Sequence, residues 1–276
     1  MAARPLAAPV MRNLLTLLML LVIGLPFIWM ILSSFQPTSV LINPRELFRP
    51  DAFTLENYAR LPSEANFLLI LRNSLVVALA STAIAIPLAL LAAYSVYRTR
   101  YRGRQTVYLL LLVVYVFPGI LLLAPLFKLF SMSGVLNTWL SLIIMNVTFS
   151  APFSVWLMRG FFTSIPHGIE EAAAIDGATD MQILRRIIVP LTAPGIVVTG
   201  TYTFVYSWTE FLFASVFLID DSLKTLPIGL EGLVTQYSID WGLLSAAAVM
   251  TALPVVALFA FAGRYFVEGV TAGASK

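Results

Sequence analysis

No cysteine occurs in the 276 residues, and His167 is the single histidine. Disulfides and thiolate chemistry are therefore excluded, and a self-contained zinc site lacks its usual ligands, so no metal site is expected and the redox compartment is not readable. Charge is equally scarce. Charged residues make up 11% of the chain, against about a quarter in an ordinary soluble domain. Hydrophobic residues make up 59%, and the mean hydropathy is +0.90, which implies an integral membrane protein in contact with lipid. The formal charge of +3 comes from 17 basic and 14 acidic residues. Membrane topology explains that small excess better than nucleic acid does, and no basic stripe is interleaved with aromatics. A P-loop is also missing: of three lysines only Lys224 is followed by threonine, and Leu223 stands where glycine is required. No internal repeat argues for an inverted-topology carrier, and no segment is of low complexity.

What the sequence does contain is long charge-free stretches. About 20 apolar residues cross a hydrocarbon core of roughly 30 Å as a helix. Six windows qualify: Asn13 to Pro44, Asn73 to Tyr97, Gln105 to Phe127, Leu129 to Met158, Ile187 to Glu210 extended through Ile219, and Trp241 to Gly263. They are long and do not alternate strictly, so helices are favoured over barrel strands. Arg4 and Arg12 precede the first window, but the apolar run is too long for a cleaved signal and lacks an A-x-A site. Placing alternate loops in the cytoplasm puts eleven basic residues inside, including Arg4, Arg98, Arg100, Arg102, Arg104 and Lys276. Six lie outside: Arg45, Arg49, Arg60, Arg72, Lys128 and Lys224. Both termini are thus expected inside. The outer segment from about Phe35 to Phe67, with Pro37, Pro44, Pro50, Pro62, Phe48, Phe53 and Tyr58, predicts short turns and an interfacial helix; the plainer reading is a linker.

A charged island at residues 170 to 190 interrupts the apolar pattern. Pro166 suits a first helical turn, Glu170 and Glu171 suit its positive end, and Ala172 to Ala174 favour helix. Gly177 falls where a left-handed C-terminal residue is needed, and Thr179 with Gln182 matches a capping box. The spacing predicts a helix, a sharp bend and a second helix, with Arg185 and Arg186 at the membrane surface. Small alanines beside a bend let a partner approach closely. A surface or re-entrant loop without a partner fits the composition equally well.

The run Glu171-Ala172-Ala173, three positions, Gly177, nine positions, then Ile187, Val189 and Pro190 resembles the EAA loop of bacterial ABC importer permeases, with Val189 replacing the usual Leu. Looser matches point to the carbohydrate group of that family: Pro26 to Pro37, Asn57-Tyr58, Trp208-Thr209-Glu210-Phe211 with Thr209 replacing the usual amide, and a tail carried by Phe266, Gly269, Thr271, Gly273 and Lys276, with Ser275 replacing an aliphatic residue. The tail resembles the shorter permease of the maltose and glycerol-phosphate type. This resemblance implies one all-α transmembrane domain over 1–276, with six spans in the type I importer permease fold and a cytoplasmic coupling loop at about 166–190. It implies coupling to an ATPase through Glu171, Ala172, Ala173, Asp176, Gly177, Ile187 and Pro190. It also implies a homologous second permease, an ABC ATPase dimer carrying ATP and Mg, and an extracytoplasmic solute-binding protein, all at a bacterial inner membrane. No cofactor is expected on this chain.

Polar residues within the spans are the candidates for a solute pathway. Thr199, Tyr202, Tyr206, Thr209, Glu210 and Phe213 follow helical spacing, with Trp208 beside them, and a carboxylate at membrane depth should face water, find a partner or be protonated. Hydroxyls and aromatic faces suit a sugar. Asn146, Ser150 and Ser154 recur every four residues on another helix. Both sets fit interhelical hydrogen bonding as well as a pathway, and Pro194, Gly195 and Gly200 suggest close packing or a kink before a gate. Paired Asp220 and Asp221 read as a solvated turn. No pair of groups supports an acid–base enzyme. Two alternatives stay open: an importer permease for a non-sugar solute, and an ion-coupled secondary carrier using Glu210.

Overall fold

The computed structural model describes residues 7–43, 45, 49–64, 66–99, 101–234 and 239–274. Arg4, Pro44, Phe48, Arg100, Ser275 and Lys276 lie outside the described residues. So do the side chains of Phe266, Thr271 and the rest of the tail. The chain divides into two compact units, one of Met1–Leu68 with Leu230–Leu253 and the other of Leu69–Gly229 with Pro254–Lys276.

The first unit begins with α1 (Ala7–Ser34), whose Leu14 to Ile23 side chains are almost all exposed, as a lipid-facing helix requires. Short elements follow: α2 (Thr38–Leu41), a 3₁₀ turn (Pro50–Ala52) and α3 (Glu56–Glu64). They form the turns and small helix expected of this segment, and hydrogen bonds order them. The buried Asn57 amide donates to Ser34 O at 3.0 Å and Gln36 O at 2.9 Å, while the Ser34 and Tyr58 hydroxyls lie 2.6 Å apart. Asp240 gathers three donors: the Thr38 hydroxyl at 2.6 Å, the Arg60 guanidinium at 2.8 Å and the Leu243 amide at 3.0 Å. Burial pushes its carboxyl up, but these hydrogen bonds outweigh burial and hold it below the usual carboxylate range.

The second unit carries most of the described helices: α4 (Phe67–Arg98), α5 (Arg104–Val116), α6 (Leu123–Met132), α7 (Trp139–Ser164), α8 (His167–Ile175), α9 (Asp180–Ile183), α10 (Val189–Leu191), α11 (Ala193–Trp208), α12 (Leu212–Phe217) and α13 (Leu226–Glu231). The last helix, α14 (Trp241–Ala274), belongs partly to each unit. Two buried clusters organise this unit. One joins α4, α7 and the α9 region; the other joins Val77, Phe130, Leu142, Met145, Phe213 and Phe217.

Among the described residues four helices are long and apolar enough to cross a membrane unbroken, and two bent pairs bring the spans to six. The windows therefore find the spans but misplace several ends. The third is Arg104–Val116 followed after a 91° bend by Gly119–Met132. The residue before Pro118, Phe117, is forced to extended backbone (φ −69°, ψ 125°), which stops α5. The fourth span starts at Trp139, not Leu129, because the chain must first turn through Gly134 (φ 70°) and Asn137 (φ 58°). It also runs past Met158 to Ser164. The second starts at Phe67 rather than Asn73, whereas the sixth, Trp241–Tyr265, matches the window to within two residues, its helix running on to Ala274. Asn73 is buried, its amide donating at 2.9 Å to both Ser222 O and Lys224 O. A census of charge cannot see such an anchor, nor a bend.

Candidate coupling surface and polar helix interface

Between α7 and α11 the chain forms the expected helix–bend–helix. Ile165, extended ahead of Pro166, ends α7, and Pro166 itself (φ −60°, ψ 134°) stands just before α8. At the far end Gly177 has φ +83°. Its amide donates to Ala174 O and that of Ala178 to Ala173 O, both at 3.0 Å, which closes α8 in a Schellman motif. The capping box is present too: the Thr179 amide donates to Gln182 Oε1 at 2.8 Å and the Gln182 amide to the Thr179 hydroxyl at 3.4 Å. A π turn at Leu184–Ile188 leads into α10, and a 77° bend separates that segment from α11.

The loop has two faces. Glu171, Ala172, Asp176, Gly177 and Pro190 are exposed, whereas Ala173 and Ile187 are half-buried. Ala173, with Ala178, packs on the buried cluster of Ala89 and Ala93 from α4, Met158 and Phe162 from α7, and Ile183, Leu184 and Ile188. Its small size thus fits the chain's own packing as well as the approach of a partner. Two exposed apolar side chains escaped the sequence reading. Ile175 is 86% exposed at the tip of α8 and Met181 is 56% exposed on α9. Their signal was available, namely large apolar residues inside the charged stretch of residues 170 to 190. A second missed feature is Arg98, the last residue of α4. Its Nε donates to Glu170 Oε1 at 2.8 Å and its Nη1 to Ile165 O at 3.1 Å.

Two pairs of polar residues within the spans bind each other, while Asn146 Oδ1 and Thr199 Oγ1 are buried without a partner among the described residues. The Asn146 amide on α7 donates to the Ser207 hydroxyl on α11 at 2.6 Å, and Ser154 faces Thr203 at 3.3 Å. Ser150 is fully buried, and so is Asn146. Gly195 and Gly200 sit where an added Cβ would meet Phe161 at 2.5 Å and Ile86 at 2.9 Å, which explains both as sites of close helix approach. Trp208 is buried and stacks on Phe204, with ring centroids 5.5 Å apart.

The stripe drawn through Glu210 does not continue along one helix. The helix ends at Trp208, and the Glu210 carboxylate accepts the Phe213 amide at 2.7 Å and the Ala214 amide at 3.0 Å at the start of α12. Two otherwise unpaired donors are satisfied by one buried acid. Tyr202 and Tyr206 remain half-buried and join an aromatic wall. Tyr202 lies 4.5 Å from Phe153, which stacks on Tyr115 at 5.9 Å. Among the described residues no group of acids and histidine could hold a metal ion.

A mostly helical chain with two bent spans and a capped, exposed helical turn between its last bent pair and the span before it has the type I ABC importer permease fold. A chain from the crystal structure of a bacterial ABC transporter that imports the acidic polysaccharide alginate superposes with a TM-score of 0.82. The match covers 96% of this chain and 99% of that one at 20% identity. The family is fixed by sequence. Residues 85–271 match the model of the binding-protein-dependent transport system inner membrane component, and the chain belongs to that family. It is 40% identical over 94% of its length to the inner membrane ABC transporter permease protein YcjP of Escherichia coli K12, covering 93% of that protein. It is 38% identical over 93% of its length to the sulfoquinovosyl glycerol transport system permease protein SmoH of Agrobacterium fabrum, covering 90% of it. The chain is thus a multi-pass permease component of a membrane transporter, not an enzyme.

Proposed function

We propose that this chain forms half of the translocation pathway of an inner-membrane ABC importer for a sugar, oligosaccharide or polyol. A homologous second permease would complete the pathway, an ABC ATPase dimer carrying ATP and Mg would dock on the loop, and an extracytoplasmic solute-binding protein would deliver solute. The observation that carries the reading is the loop at 166–190, which turns Glu171, Ala172, Asp176 and Ile175 outward while Ala173 anchors it to the cluster joining α4 and α7. Closure of the ATPase pair would move α8 as a rigid body, and the helices packed on it would rock. The loop and both termini would then face the cytoplasm, in line with the excess of basic residues on that side. The carbohydrate class is supported by the solutes named for SmoH and for the alginate transporter. Tyr202, Tyr206 and Phe153 offer the aromatic faces that suit sugar rings. The secondary-carrier alternative loses its main support, because two backbone amides already engage the Glu210 carboxylate.

The test is reconstitution of the complex recovered with the tagged chain, including its binding protein, in liposomes. Mg-ATP hydrolysis is screened against saccharides, polyols, amino acids and inorganic ions. Stimulation by a saccharide or polyol is expected; stimulation by an amino acid or ion alone would contradict the carbohydrate class. Recovery of the chain without any ATPase would contradict the importer itself.

A further inference from the structure

We propose that Arg98 is a positioning residue that ties the coupling helix to the second span, so that a displacement of α8 reaches α4 through a directional ion pair as well as through the packing of Ala173 and the covalent link to α7. The proposal rests on the coupling role given to the loop above. Arg98 ends α4, where the negative end of the helix dipole favours a cation. Its guanidinium meets the Glu170 carboxylate in α8 at 2.8 Å and the Ile165 carbonyl at the end of α7 at 3.1 Å. One side chain therefore holds three helix ends. The pair is nearly dry, with the Arg98 side chain 3% exposed and that of Glu170 14%. Buried ion pairs add little net stability over well-packed apolar residues, and in some systems they are kept for the defined geometry they impose. The turn at Ile165–Pro166 joins α7 to α8 and Ala173 packs α8 on the cluster shared by α4 and α7, but apolar packing has no direction of its own, and the ion pair supplies one.

The placement also separates two neighbouring acids that look equivalent in sequence. Successive helical residues point about 100° apart, and here Glu170 faces inward to Arg98 while Glu171 is exposed. Glu170 transmits and Glu171 docks. At the same level Arg159 of α7 lies 5.3 Å from the ring centroid of Tyr97, a second link between α7 and α4 that leaves α8 untouched.

The experiment uses the complex recovered with the tagged full-length chain. It measures two quantities: co-recovered Mg-ATPase activity, and the change in backbone hydrogen exchange of α8 and α4 caused by Mg-ATP with vanadate. Glu170→Gln, close in shape to the original, should keep the ATPase and the α8 response while the α4 response falls about tenfold, within the usual range of coupling energies. Glu171→Gln should instead reduce ATPase recovery. The charge-reversed double variant R98E/E170R should regain much of the α4 response, which a purely structural defect would not allow. An α4 response equal to wild type in Glu170→Gln would overturn the proposal, as would a loss of ATPase recovery matching that of Glu171→Gln, or a double variant no better than Glu170→Gln. If the wild-type chain brings down no ATPase, the importer reading itself fails, and that result is distinct from the others.

Discussion

The coupling loop and the α7–α11 interface are both islands of polarity in an apolar chain, yet they treat their polar groups in opposite ways. At the interface, donors and acceptors meet inside the protein: Asn146 finds Ser207, Ser154 finds Thr203, and Glu210 takes two backbone amides. On the loop, local caps satisfy the backbone, and Glu171, Ala172, Asp176 and Ile175 are left facing out. The interface still leaves Asn146 Oδ1 and Thr199 Oγ1 buried without a partner among the described residues, but its paired groups point to packing, whereas a capped backbone beneath outward side chains points to a partner. The interface should therefore respond to mutation through stability, and the loop through association.

The largest effect is expected at Glu210. Alanine leaves the Phe213 and Ala214 amides without their acceptor at about 1–3 kcal/mol each, so Glu210→Ala should lower the thermal midpoint of the detergent-solubilised protein sharply. Glu210→Gln keeps one acceptor and should fall between. Equal stability in all three would remove Glu210 from the packing side of the comparison.

Next is Ile175→Ser. An exposed side chain contributes almost nothing to folding, so the midpoint should stay fixed while ATPase recovery falls by about 2 kcal/mol, the scale of an interface anchor. A pull-down paired with a thermal scan reads both quantities.

Gly177→Ala should cost about 1–2 kcal/mol through its left-handed backbone. Because nothing lies within 4 Å of an added Cβ, the cost is conformational and not steric. It should appear as faster hydrogen exchange at the α8 C-terminus and weaker ATPase recovery. The smallest change is Asn146→Leu, where loss of one interhelical hydrogen bond within a membrane averages about 0.6 kcal/mol. A small drop in the midpoint with unchanged ATPase recovery would keep the two regions distinct.

Much of the loop was legible beforehand because its signals are local. Gly177 and the Thr179–Gln182 pair act within a few residues, and each occupies the conformation its chemistry demands. The interface was less legible because its meaning depends on what lies across from it. Nothing in Trp208-Thr209-Glu210-Phe211 announces a helix break, since neither glycine nor proline is present, so the spacing rule carried the stripe through a residue that caps the next helix. Ala173 shows the same limit, because an alanine reads alike whether it makes room for a partner or for its own core. The inward turn of Glu170 depends on Arg98, 72 residues away in sequence.

The most direct measurement uses the absence of native cysteine. Ile175→Cys would carry the only thiol of the chain, to be probed with a membrane-impermeant maleimide in inside-out vesicles before and after peripheral proteins are stripped. Slow labelling is expected while the ATPase is bound, fast labelling once it is removed, and no labelling from outside intact cells. Labelling from the outer face, or a rate indifferent to stripping, would contradict the claim that this loop is the cytoplasmic docking surface of an importer.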